Sequence, residues 1–119
     1  MTPRRLTPRE RYERTQTEDD WTRTVLDLAG YTGWPLQMHI RDSRETPAEG
    51  YPDWTFVSLR HNAVLWLELK RPGGVITPKQ AAWNAALREV TEHPRFRAYA
   101  RIAEPKDFED VKRIMEGKG

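Results

Sequence analysis

Asp53, Glu68 and Lys70 are the residues of this 119-residue chain whose types and spacing suggest shared chemistry. Two acids and a lysine suit metal-assisted hydrolysis of a phosphodiester. Mg²⁺ takes hard oxygen ligands, uses one or two carboxylates and keeps waters for substrate and nucleophile. The ammonium of Lys70 can hold the attacking water or stabilise the charge of a pentacovalent phosphorane. Simpler chemistry is also open to the same residues, since Glu68 and Lys70 can form a plain salt bridge.

The elements that must position these groups are two apolar runs, Trp54 to Leu59 and Ala63 to Leu69, broken by the polar Arg60-His61-Asn62. Such runs predict a β-hairpin. A two-residue loop at His61-Asn62 sets Asp53 opposite Lys70; a four-residue loop from Leu59 to Asn62 sets Asp53 opposite Glu68. Either register gathers the three groups at the open end of the hairpin. Glu68 and Lys70 share a strand face, roughly 7 Å apart.

The order Pro52-Asp53, fourteen residues, then Glu68-x-Lys70 resembles the PD-(D/E)xK nuclease signature. The flanks narrow the resemblance to its VRR-NUC branch. They are Gly50-Tyr51 before the motif, Arg71 and Gly73-Gly74 after it, and Thr77-Pro78-Lys79-Gln80 opening a helix. The resemblance runs from about Glu18 to Ile114. It implies a restriction-endonuclease-like α/β core and a Mg²⁺-dependent DNA endonuclease, with Mn²⁺ as a substitute. Branched or structured DNA in replication, repair or recombination, that of a phage included, is the implied substrate, with Holliday junctions among the forms. Asp53 and Glu68 are then metal ligands, and Lys70 positions or activates the nucleophile. Glu18 assists the metal directly or through water, and Gln80 orients phosphate or water. Arg41, Arg44, Arg71 and Lys79 are the candidate DNA contacts. Two departures fall on a loop and a rim: His93-Pro94-Arg95 replaces the family's glycine, and Glu104 precedes Pro105.

The same residues carry plainer readings. Glu18, with Asp19 and Asp20, suits the positive end of a helix capped by Thr17. Gln80 completes a T-x-x-Q capping box with Pro78 at the first helical position. Arg41 and Arg44 lie in a charged stretch, 42–49, where ordinary solvated charge explains them as well as phosphate does.

Composition bounds the rest. The chain has 20 basic and 18 acidic residues, so net charge is no argument for nucleic acid and local distribution must carry it. Without cysteine, disulfides, thiol catalysis and thiolate metal sites are excluded. His39, His61 and His93 form no paired metal motif. No apolar run nears the ~18 residues of a membrane span, and no signal peptide is apparent, so a cytoplasmic protein is expected.

In order, residues 1–16 hold five Arg against Glu10 and Glu13 without apolar period and are expected to be a flexible basic arm. The nuclease domain is expected over 17–116. Trp21, Val25 and Leu28 mark a helix ended by Gly30. Pro35 to Arg41 alternates as a first strand. The third strand is apolar on both sides, hence central and covered on both faces. Ala81, Ala82, Ala85 and Ala86 suggest a helix lying close on the sheet. Phe96 to Ile102 is a fourth strand, and Pro105 to Met115 a last amphipathic helix. The fold class predicted is α/β: a mixed four-stranded sheet flanked by helices, order αβββαβ, with a right-handed crossover before the fourth strand. One site cuts one strand, so paired incision predicts a homodimer. A DNA-binding or assembly accessory on the same fold, without turnover, is the alternative.

Overall fold

The computed structural model describes residues 5–40, 49–91 and 97–118. Its elements are α1 (Pro8–Thr15), α2 (Glu18–Thr32), β1 (Leu36–His39), β2 (Trp54–Ser58), β3 (Ala63–Leu69), α3 (Pro78–Thr91), β4 (Arg97–Ala103), a 3-10 turn (Pro105–Asp107) and α4 (Phe108–Met115). The sheet has the order β1-β2-β3-β4. The first two pairings are antiparallel and β3 with β4 is parallel. The chain is therefore an α/β fold with a mixed four-stranded sheet flanked by helices. None of the described helices is long and apolar enough to cross a membrane.

Thr17 starts α2 as its sequence predicts. Its hydroxyl accepts from the Asp20 N–H at 3.0 Å, and the Asp20 carboxylate accepts from the Thr17 N–H at 3.2 Å. Those hydrogen bonds hold the Asp20 carboxyl below its ordinary value. Trp21, Val25 and Ala29 are the buried stripe, at the 3.6-residue period of one helical face. The helix runs past Gly30 and ends at Gly33, whose φ of 90° is the left-handed cap that only glycine adopts without strain.

The core lies between one sheet face and α2 with α4. It comprises Trp21, Val25, Trp34, Phe56, Leu65, Leu67, Leu69, Val111, Ile114 and Met115 with small residues between. Both buried indoles keep their N–H satisfied: Trp21 Nε1 donates to the Ala103 carbonyl at 2.9 Å and Trp34 Nε1 to that of Met115 at 2.8 Å. The two bonds pin α2 and the following turn to the C-terminal third of the chain.

Four expectations change. Residues 8–15, expected within an irregular arm, form a helix, because Thr7 and Glu10 make a capping box and Pro8 opens it. The helix buries none of its residues and rests on the 3-10 turn. β1 spans only Leu36–His39, and Leu36 and Met38 stay exposed, because β1 is an edge strand and no described helix covers them. The second face of β3 is only partly covered at Val64 and Trp66. α3 packs against the neighbouring β4, with Trp83 and Leu87 partly buried, and turns its alanines outward rather than onto the sheet. Phe96 and His93-Pro94-Arg95 lie outside the described residues, and β4 is seen from Arg97 onward.

Candidate active site

The hairpin adopts the four-residue loop. Ser58 pairs with Ala63 and Trp54 with Leu67, so the next position sets Asp53 against Glu68. Asn62 takes the left-handed conformation that closes the turn. Ser58 Oγ locks this end, donating to the Gly33 carbonyl and accepting from the His61 N–H. The register is thereby fixed far from the chemistry, and a one-residue slip would turn Asp53 to the other face.

At the open end the two acids meet. The Asp53 N–H donates to Glu68 Oε2 at 3.0 Å, and the Leu69 N–H donates to Asp53 Oδ1 at 3.3 Å. Lys70 Nζ lies 3.4 Å from Glu68 Oε1. Gln80 Nε2 donates to the same Oε1 at 2.9 Å. The Lys70 N–H donates to the Ala103 carbonyl at 2.9 Å, which keeps the end of β3 tied to β4. The Asp53 carbonyl accepts from the Ile40 N–H at 2.8 Å, tying it to the edge strand on its other side.

Gln80 serves two ends at once. Its Oε1 accepts from the Thr77 N–H at 3.0 Å and the Thr77 hydroxyl accepts from the Gln80 N–H at 3.1 Å. The capping box and the contact with the acid are thus simultaneous. Gly50 allows α3 to come this near. Its φ is 89°, and a Cβ there would sit 2.7 Å from the Lys79 carbonyl carbon and 2.9 Å from the Gln80 nitrogen. Tyr51 then packs edge-on against Trp83 and accepts a hydrogen bond from Trp66 Nε1 at 2.9 Å.

Glu68 is buried, at 7% exposure, and it faces a second carboxylate. Burial pushes the Asp53 carboxyl up to about 8; repulsion from Glu68 adds to it, the Leu69 N–H opposes it, and Glu18 adds a smaller repulsion. A site that holds a carboxylic acid near neutrality stores electrostatic strain that a bound cation would relieve. Two carboxylates are the number Mg²⁺ commonly takes, and their hard oxygens fit it. Glu18 stands exposed on the first turn of α2 and acts on Asp53 through its charge. Among the described residues no group of three His, Cys, Asp or Glu is spaced to hold a metal.

The structure thus brings together Asp53, Glu68, Lys70 and Gln80, with Glu18 within electrostatic reach. Arg71 is exposed beside Lys70. Lys79 is exposed and paired with Glu49 at 2.8 Å. Arg41 and Arg44 lie outside the described residues. Sequence reasoning missed Thr77 as the group that holds the Gln80 carboxamide in place, although the capping box that it predicted is the signal. It also missed the ring stack of His39 on Trp54, at 4.2 Å between centroids; their alternation on neighbouring strands gave the faces but not the register.

Compared with known protein families, with curated proteins and with solved structures, the chain finds no match in any of the three.

Proposed function

We propose that the protein is a Mg²⁺-dependent DNA endonuclease of the PD-(D/E)xK kind, in its VRR-NUC branch. One observation carries this reading: Asp53 and Glu68 share the end of one hairpin, and the same Glu68 oxygen faces both Lys70 and Gln80. A bound divalent cation would supply charge neutralisation at the scissile phosphate and a more acidic water. Asp53 and Glu68 are the residues that would hold it, with Glu18 reinforcing the negative field. Lys70, with its side chain only 16% exposed, keeps a cation at a fixed place beside the acids. There it orients a water for attack and stabilises the negative charge that builds on phosphorus. Gln80, held by Thr77, presents an amide N–H to the same place and keeps Glu68 from turning away.

DNA is the proposed partner, with Arg71 and Lys79 along the rim, and branched or flapped forms the proposed substrates. Paired incision is assigned to a two-fold homodimer, which supplies two such sites in a fixed relation. A second reading has its own observation. Glu68 Oε2 already accepts from Asp53, and Oε1 already faces Lys70 and Gln80, so the cluster could be a satisfied structural network in a DNA-binding accessory.

A nuclease assay over a panel of DNA shapes separates the two. With Mg²⁺ or Mn²⁺ the enzyme reading expects strand cleavage that chelator abolishes and Asp53→Asn removes. Binding without cleavage under every metal supports the accessory.

A further inference from the structure

β1 leaves one side of its backbone open. It is an edge strand, antiparallel to β2 along its other side. In an antiparallel pair the main-chain groups of alternate residues face the neighbour. Ile40 donates its N–H to the Asp53 carbonyl at 2.8 Å, so Met38 and Leu36 turn theirs to β2 as well. Gln37 and His39 turn theirs outward, and their main-chain N–H and C=O groups have no partner among the described residues. Natural edges are blunted by charge, proline or a bulge. Leu36-Gln37-Met38-His39 carries none of these. Leu36 and Met38 are instead 56% and 54% exposed.

The register says which side chains border this edge. Gln37 and His39 share the core face with Phe56 and Trp54, while Leu36, Met38 and Ile40 share the face to which Asp53 and Glu68 turn. α3 packs at the other edge of the sheet, against β4, so among the described elements it leaves this strip open. A second β1 laid antiparallel along the edge satisfies it in one register. With Gln37 opposite His39 of the partner subunit, every outward N–H meets an outward C=O. Sliding the copies two residues toward Pro35 sets His39 opposite a proline, which has no N–H for the His39 carbonyl. Sliding the other way carries the pairing beyond the described residues. The first register also sets Met38 opposite itself, with Leu36 beside Ile40 on either side.

We propose that β1 is the dimer interface: it pairs antiparallel with β1 of a second copy of this chain, across a two-fold axis at Met38, and joins two four-stranded sheets into one. A two-fold interface must be complementary to itself. This edge is so twice over, in its main-chain donors and acceptors and in its apolar side chains, which points to a second copy as the occupant. The proposal deepens the homodimer of the nuclease reading and rests on that reading for its use. Both carboxylate pairs then face the same side of one continuous sheet, roughly 20 Å apart by strand spacing and rise. One nucleic acid laid across that face can meet both sites. The strand is short, so association is expected to depend on concentration.

The test uses the whole chain, which has no cysteine of its own. Met38→Cys sets two thiols across the axis at a non-hydrogen-bonded pair, where Cα atoms lie roughly 4.5 Å apart and within disulfide reach. Mild oxidation is expected to turn this variant into a covalent dimer. Leu59→Cys, 86% exposed at the closed end of the hairpin, should stay a single chain under the same oxidation. Gln37→Pro removes an outward N–H that β2 does not use, which an edge strand tolerates. It should fold, and light scattering should give the monomer mass at concentrations where wild type gives twice that mass. Where Gln37→Pro fails to fold, Met38→Lys is read instead; it sets two ammonium groups against each other at the axis and should also be a monomer. A wild type that stays monomeric across the concentration series overturns the proposal. So does a Met38→Cys that fails to couple or couples no better than Leu59→Cys, or a folded Gln37→Pro or Met38→Lys of dimer mass. The nuclease reading is judged apart from this. Met38→Lys should nick where wild type makes paired cuts; a wild type that couples through Met38→Cys yet cleaves no DNA with Mg²⁺ or Mn²⁺ counts against that reading and leaves the interface standing.

Discussion

Gln80 reaches from the first turn of α3 to Glu68 on β3, amide nitrogen to carboxylate oxygen at 2.9 Å, while its own oxygen caps the helix that carries it. One side chain therefore couples the start of a helix to the acid at the end of a strand. The capping box orients the carboxamide: with Oε1 committed to the Thr77 N–H, only the NH₂ can point at Glu68. A glutamine here is a donor by construction.

Gln80→Ala should lose about 1 kcal/mol from the cap and a comparable amount from the bond to a charged acceptor. Gln80→Glu keeps an oxygen for the Thr77 N–H and sets a third carboxylate against Glu68. At neutral pH without metal it should be the less stable of the two. Urea unfolding of both variants checks this; equal stability would mean that the side chain does not face Glu68 in solution.

Lys70 supplies the one cation beside the two acids among the described residues, at 3.4 Å from Glu68. Lys70→Met keeps the buried stem and removes the charge. Turnover should fall by about 10²-fold or more, given usual contributions of a positioned charge or proton-transfer group. Mg²⁺ affinity should change far less, since the carboxylates remain. Steady-state rates across a metal titration separate the effects, and a rate restored by saturating Mg²⁺ would make Lys70 a positioning residue only.

The hairpin, its loop of four or two residues and the convergence of Asp53, Glu68 and Lys70 were legible because a strand alternates with period two and its sites face each other by index. The choice between registers was not, because it is made by the left-handed turn at Asn62 and by the contact of Ser58 with Gly33, 25 residues away in sequence. The end of α2 was misplaced for a related reason. Gly30 and Gly33 are equal as letters, and only the turn into Trp34, whose indole docks on the Met115 carbonyl, decides between them. The exposed alanines of α3 obey no local rule either. A helix whose partly buried positions are Gln80, Trp83, Asn84, Leu87 and Thr91 leaves its others to propensity, and alanine has the best. Helix α1 hid because its residues bury nothing, so that its only signal was the Thr7–Glu10 box.

Gly50 sets how near α3 comes to the acids. Gly50→Ala forces a side chain into a left-handed backbone and against main-chain atoms of Lys79 and Gln80 that cannot turn aside. A loss of about 1–3 kcal/mol is expected. Cleavage should fall further than the folded fraction does, because the loop leading into Asp53 and the turn bearing Gln80 separate together. Activity measured well below the melting transition checks the second half; full activity there would show that this approach is not needed for the site.

Asp53 gives the sharpest pH dependence. In the unfolded chain it titrates near 3.8, and in the fold near 8. Between those values the folded protein keeps a proton that the unfolded chain has released. Unfolding then proceeds with fewer bound protons in the product, so stability falls as pH rises through this window and levels off above about 8. Asp53→Asn removes the titrating group and keeps an oxygen for the Leu69 N–H. Without metal the variant should be flatter with pH than wild type and more stable than it at pH 9, with the difference closing toward pH 4. A divalent cation competes with the same proton. Mg²⁺ binding at pH 7 should therefore release protons and stabilise the wild type, and should do neither in Asp53→Asn. Calorimetry in two buffers of different ionisation enthalpy counts the protons, and thermal melts across pH 4–9 give the stability curve. A wild-type stability that rises from pH 4 to 8 in step with Asp53→Asn would mean that Asp53 is ionised in the fold, and that its carboxyl is better solvated than its burial beside Glu68 implies.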